Sequence, residues 1–202
     1  MAHPQQGSRF WLAVRRLIGK TYMKFLGFKA VGEIPTEAKF ITLAVPHTTN
    51  WDLPNMLFYC FSTDQRISFM MKASVFRWPF GGFFRAMGGI PIDRSKKNDT
   101  VAQMVKAFEE SDYLNVVIPP EGTRGRRDYW KTGFYYIALE ANIPIVLGFL
   151  DYARKEVGYG PVLHPTGDIE KDFEKIAAYY KERGVQGKYP KNQSEIRPRP
   201  RD

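Results

Sequence analysis

The sequence predicts an α/β protein: a single domain with a mixed, mostly parallel sheet flanked by helices, preceded by an amphipathic helix. Three observations predict it. Short apolar runs at 40–45, 67–71, 114–118 and 144–150 alternate with segments of helical periodicity. The 202 residues suffice for one domain with a substantial core, and no internal repeat or second domain divides them. Polar loops follow three of the strands, and loops at strand C-terminal ends are where open α/β sheets keep their sites.

Composition narrows the function classes. A hydrophobic content of 44% with 25% charged residues is ordinary for a globular chain, while 15% aromatic is high. No apolar run approaches the ~20 residues of a membrane-spanning helix. Arg15, Arg16 and Lys20 interrupt any apolar core a secretory signal would need. The single cysteine, Cys60, rules out an intrachain disulfide, suits a reducing compartment and reads as core packing. The net charge of +9 calls for an anionic partner: nucleic acid, anionic lipid or a phosphorylated small substrate.

Taken in order, residues 9–28 read as a helix. Phe10, Trp11, Val14, Leu17, Ile18, Tyr22 and Phe25 share one broad face, with Arg9, Arg16, Lys20 and Lys24 on the opposite flank. A wide aromatic face bordered only by positive charge is the composition of a helix lying in a membrane interface. The competing reading docks that face on the protein core. Gly32–Pro35 is a turn, and Phe40–Val45 is a buried strand. Pro54 is tolerated only in a helix's first turn, so the next helix starts near Asn50 or Trp51. Ile67–Met71 is a second strand. Residues 72–87, aromatic, basic and broken by glycine and proline, read as a loop under the core or a second interfacial patch. A short strand at 88–92 ends on Asp93 and Arg94.

Asn98 or Asp99 caps a helix to about Ser111, and Leu114–Ile118 is a buried strand. Thr132 caps a helix through Asn142. Pro144–Leu150 and Glu156–Val162 are further strands. A last helix, from about Asp168 to Arg183, ends at Gly184. From Val185 the chain turns basic and proline-rich, the composition of a disordered tail. The expected organisation is an interfacial helix in 1–30, the α/β domain in 31–184 and the tail in 185–202.

Function reads from the loops. His47 follows the first strand and Asp52 lies five residues on. With three histidines in the chain that spacing is near coincidence alone, but a helix beginning between the two residues lets them meet. A histidine oriented by a carboxylate takes a proton from a hydroxyl at neutral pH. Arg94 and Arg124 bring planar forks suited to phosphate. His3 and His164 lack partners at metal-ligand spacing, so no metal set is expected. Neither a phosphate-cradling Gly-Lys-Ser/Thr loop nor a serine nucleophile elbow is present.

At these residues the chain resembles the PlsC-like acyltransferases, the lysophosphatidate and glycerol-phosphate acyltransferases. Four blocks occur in the family's order, between about 47 and 147. His47-Thr48-Thr49-Asn50-Trp51-Asp52 matches its histidine, four residues, aspartate motif. Gly88-Gly89-Ile90-Pro91-Ile92-Asp93-Arg94 resembles its second block. Pro119-Pro120-Glu121-Gly122-Thr123-Arg124 resembles the third, and Ile143-Pro144-Ile145-Val146-Leu147 the fourth. Pro46, Pro119, Gly125 and Leu147 stand where members often have Asn, Phe, Ser and Pro. None of these departures removes a reacting group, and together they leave the acceptor open.

The resemblance implies a glycerol-phosphate-acyltransferase-like fold and an O-acyltransferase with His47 as general base and Asp52 as its orienter. Arg94 and Arg124 would hold an acceptor phosphate. Glu121, Gly122 and Thr123 would shape that loop or meet acceptor hydroxyls, and Lys72 and Lys131 are further contacts for phosphate or donor. No bound cofactor is implied; acyl-CoA or acyl-acyl-carrier-protein is the co-substrate, and 1-acylglycerol-3-phosphate the first acceptor expected. The expected partners are an anionic membrane surface, a lysophospholipid and the thioester donor, with the protein cytoplasmic and peripheral on the inner face of the membrane. The alternatives are an acyltransferase acting on a different lipid or hydroxyl acceptor and a non-catalytic lipid-binding module of the same fold. Nucleic acid is not an expected partner, because the basic residues are dispersed and no recognition motif is present.

Overall fold

A computed structural model describes residues 9–93 and 99–200 of the chain. Its elements are α1 (Arg9–Leu26), β1 (Lys29–Val31), β2 (Lys39–Leu43), α2 (Asp52–Ser62), β3 (Phe69–Lys72), α3 (Gly81–Ala86), β4 (Gly89–Ile92), α4 (Asp99–Glu109), β5 (Leu114–Ile118), α5 (Gly133–Glu140), β6 (Ile145–Asp151), β7 (Glu156–Leu163) and α6 (Ile169–Arg183).

Five strands form the main sheet in the order β1-β7-β6-β2-β5, all pairs parallel except β6 with β7. β3 and β4 pair in parallel beside it. Ser68 joins the two: its N–H donates to the Asn115 carbonyl at 2.7 Å, and its own carbonyl accepts from Val117 N–H at 2.8 Å. The C-terminal ends of β2, β5, β3 and β4 therefore share one edge, and the loops carrying His47, Glu121, Lys72 and Asp93 leave from it.

Strands in such a sheet are buried on both faces, so consecutive side chains serve opposite cores. Phe40, Val146 and Leu150 pack with Met23 of α1 and Tyr59 and Cys60 of α2. Ile41, Leu43, Ile145, Leu147 and Phe149 face the larger core, built with Met104, Phe108, Phe134, Phe173 and Ile176 from α4, α5 and α6. The two-residue period of the strands thus sets the sandwich of helix, sheet and helix.

α1 lies against α2 through its narrow side. A side chain at Gly19 would collide with the α2 backbone, meeting Ser62 N at 2.4 Å, so glycine permits the approach. Met23 is buried beside it, and the Tyr22 and Phe58 rings stack at 3.9 Å. Of the broad apolar face Tyr22 turns in to α2, while most of the rest is not docked on the core: Phe10, Leu17 and Phe25 are 68%, 66% and 86% exposed.

Several boundaries differ from the sequence expectation. β1 goes unread there, because three residues with two exposed carry no period; β7 holds it by parallel pairing. The stretch 72–87 is not a plain loop but a 3₁₀ turn, Ala73–Phe76, followed by the short α3. α4 ends at Glu109 and α5 at Glu140, each two residues short of the expected end. Thr132 precedes α5 without a side-chain cap bond, whereas Asp168 caps α6 by accepting from Lys171 N–H and Gly184 ends it at φ 63°. The tail is the largest correction. Val185 is buried, Trp130 N–H donates to the Arg197 carbonyl at 2.9 Å, and Arg199 N–H donates to the Trp130 carbonyl at 3.1 Å. Composition reads charge and proline as disorder; it does not see backbone pairing with a distant loop.

Candidate active site

Between β2 and α2 the chain turns sharply. The Val45–Pro46 peptide is cis, and Pro54 falls in the first turn of α2, where its missing N–H costs nothing. His47 therefore stands in the turn and Asp52 opens the helix. His47 Nδ1 lies 3.1 Å from Asp52 Oδ2. The same Oδ2 accepts the N–H groups of Thr48 at 2.9 Å and Thr49 at 3.0 Å. Asp52 Oδ1 accepts the Tyr152 hydroxyl at 2.8 Å. With every neighbour donating to it, Asp52 serves as an acceptor and assigns the proton to Nδ1, which leaves the His47 Nε2 lone pair for a substrate. Asp52 is buried while the His47 ring keeps a fifth of its surface, 20%, open.

Tyr152 follows β6, and the sequence offers no period or motif that points to it. Asn55 Nδ2 donates to its oxygen at 2.9 Å, and Tyr22 of α1 donates to Asn55 Oδ1 at 2.9 Å. Burial first, and then the hydrogen bond and charge of Asp52, raise the Tyr152 phenol far above its ordinary range, so it stays a donor. A relay of hydrogen bonds runs from α1 through Tyr22, Asn55 and Tyr152 to Asp52.

Glu121 enters from the loop after β5. Its Oε2 accepts His47 N–H at 2.7 Å, and the residue is buried. Burial, opposed by that hydrogen bond and reinforced by the Asp52 charge, pushes its carboxyl up from 4.5 to about 8. The contact made is with the histidine's backbone. Gly122 turns the loop at φ 65°, and a side chain there would meet Lys131 Cε at 2.6 Å, so Lys131 lies directly over this turn. The Thr123 hydroxyl accepts from Gly125 N–H at 3.4 Å, and Arg124 is exposed.

The structure thus gathers His47, Asp52, Glu121, Gly122 and Lys131 around one edge of the sheet. Lys72, exposed at the end of β3, reaches the same edge from the neighbouring strand pair. Arg94 lies outside the described residues; the strand before it is anchored by Asp93 and Gln103, which exchange two hydrogen bonds of 3.0 Å. The N-terminus of α2 adds exposed Trp51 and Leu53 beside the dyad. A cleft of about 630 Å³ behind the loop touches Pro46, Glu121, Trp130 and Tyr180 but neither His47 nor Asp52. A larger one, of about 900 Å³ beside Thr132, Tyr136 and Asp168, contains no candidate residue. Of these places only the dyad presents an oriented histidine, the arrangement that can accept a proton from a hydroxyl. Among the described residues no group of three or more histidine, cysteine or acidic side chains is placed to hold a metal ion.

A family model described as acyltransferase matches residues 28–146, more than half of the chain. The chain belongs to the acyltransferase family. The span matched in this acyltransferase contains the dyad, Glu121 and Lys131. Its fold is similar to the crystal structure of the 1-acyl-sn-glycerophosphate (LPA) acyltransferase PlsC from Thermotoga maritima, with a TM-score of 0.58. The two share 18% identity over 86% of this chain and 78% of that one. No curated protein matches the chain.

Proposed function

We propose that this acyltransferase moves a fatty acyl group from an acyl thioester to a hydroxyl of a lysophospholipid or glycerol-phosphate acceptor, with 1-acylglycerol-3-phosphate the first to test. The observation that carries this is the oriented His47–Asp52 pair with Nε2 left open. Nε2 takes the acceptor's hydroxyl proton as the oxygen attacks the thioester carbonyl. The new C–O bond forms, the C–S bond breaks, and the proton passes from imidazolium to the departing thiolate. No acyl-enzyme is required, so the whole reaction runs from one ternary complex.

Arg124, Lys131 and Arg94 are the groups for the acceptor phosphate, with Lys72 a further contact for phosphate or donor. Glu121 fixes the histidine's backbone, and Trp51 and Leu53 give an acyl chain apolar surface beside the reacting centre. The donor is acyl-CoA or acyl-acyl-carrier-protein. We further propose peripheral binding at the inner face of the membrane. The uncovered apolar face of α1 and the exposed Trp78, Phe80 and Phe83 support it. No helix among the described residues is long and apolar enough to cross a membrane.

The test is thiol release by wild type and His47→Ala on a panel of lysophospholipids and glycerol 3-phosphate with both donor types. The variant is expected to lose at least about a thousandfold in kcat while remaining folded. Near-normal turnover of His47→Ala would sink the mechanism. Wild-type protein that releases no thiol with any acceptor would favour a lipid-binding module.

A further inference from the structure

At the opposite end of α2 from the dyad, a groove of about 500 Å³ opens between α1, α2, the end of α3 and the strand edge. Its lining includes Arg15 of α1, Arg66 after α2 and Arg85 of α3, and no carboxylate among the described residues. The acid whose charge acts on Arg15, Asp64, is ion-paired with Arg16. Burial draws the Arg15 pKa down, against the pull of Asp64 and with a push from the Arg66 charge.

The arginines are also posed for an anion. Arg15 stacks over the Phe61 ring at 4.5 Å and Arg85 over the Phe76 ring at 5.4 Å. A guanidinium held over an aromatic ring keeps its charge and its N–H donors, the groups that grip phosphate oxygens. The two helices that supply them carry exposed apolar side chains. Trp11 and Ile18, four residues before and three after Arg15, flank it on the surface of α1. Phe83 is exposed on α3, and Trp78 just before it is 94% exposed. A basic groove between two apolar ridges matches the layering of a bilayer surface, phosphates beside acyl chains.

We propose that this groove seats the phosphate of an anionic phospholipid that is not the acceptor, and so sets how the protein sits on the bilayer. It rests on the reading of α1 as a membrane-surface helix. Neither His47 nor Asp52 lines the groove, and Arg66 stands beyond the far end of α2 from Asp52, so the seated phosphate is not the reacting one.

The test is partitioning onto phosphatidylcholine vesicles with and without a minor fraction of phosphatidylglycerol. It compares wild type, Arg66→Gln/Arg85→Gln, and Lys106→Gln/Lys181→Gln, which removes equal charge from exposed sites on α4 and α6. Arg66 and Arg85 are exposed, and an unchanged thermal midpoint checks the fold. Wild type is expected to gain affinity from phosphatidylglycerol. The arginine pair should lose about tenfold of it, the lysine pair less than about twofold, and all three should bind phosphatidylcholine alike. Equal losses in the two double variants, or no loss in the arginine pair, overturn the groove while leaving the membrane reading intact. Wild type that ignores both vesicles overturns the membrane reading and the groove with it.

Discussion

Tyr152 and Asp52 stand 100 residues apart in the chain, yet the tyrosine hydroxyl donates to Asp52 Oδ1 at 2.8 Å. The bond occupies the carboxylate oxygen that the imidazole does not use. Oδ2 is left to hold Nδ1 and the two backbone N–H groups that shape the His47 turn. Tyr152 thus reaches His47 only through the aspartate, and in the proposed mechanism it is a positioning residue.

Replacing Tyr152 with Phe should lower kcat by about tenfold, the worth of a hydrogen bond to a charged group, with little change in KM for the donor. A matching rise in KM, or a thermal midpoint lowered by more than a few degrees, would show that Tyr152 supports only the packing.

Glu121 predicts an unusual dependence of stability on pH. Its carboxyl titrates at about 8 in the folded protein and near 4.5 when free of its surroundings. Over that window the folded state keeps a proton that the unfolded state releases. This group's contribution to stability is therefore fullest below about pH 4.5 and declines as pH rises toward 8. Glu121→Gln keeps an acceptor for His47 N–H but cannot ionise. Urea unfolding should show the variant gaining on wild type by at least about 1 kcal/mol between pH 5 and pH 8. Parallel curves would disprove the assignment.

Leu17 and Phe25 lie on the uncovered face of α1 and make no part of either core cluster. Leu17→Asp/Phe25→Asp should leave the thermal midpoint within a few degrees, since exposed substitutions cost within about 0.5 kcal/mol each. Cosedimentation with phosphatidylglycerol vesicles should fall by tenfold or more. Retained binding would remove α1 from the membrane contact.

Much of this was legible in the residues, for local reasons. The strand at 40–43, the proline at position 54 and the histidine between them are neighbours, so one short stretch specifies the dyad. Glu121 is equally local to the end of β5, although its service to the His47 backbone is a tertiary fact. Tyr152, Asn55 and Tyr22 were not legible, because each is an ordinary polar or aromatic residue on a different element and only packing brings them together. The broad face of α1 was read correctly as apolar, but its exposure depends on Gly19, which turns the opposite side of the helix toward α2. The stretch 73–86 and the tail failed for a shared reason: their order comes from partners elsewhere, which composition does not encode.

The tail gives the site a direction in time. Tyr189 N–H donates to the Thr48 hydroxyl at 3.3 Å, Glu195 N–H to the Arg127 carbonyl at 3.1 Å, and residues 197–199 pair with Trp130. During synthesis the loops that carry His47 and Glu121 emerge well before 185–200, the segment that fastens them. A nascent chain can assemble its sheet and both helical layers while His47 still sits in an unlatched turn. The turn that pairs His47 with Asp52 is in this sense set by local sequence and fastened by residues made more than a hundred positions later.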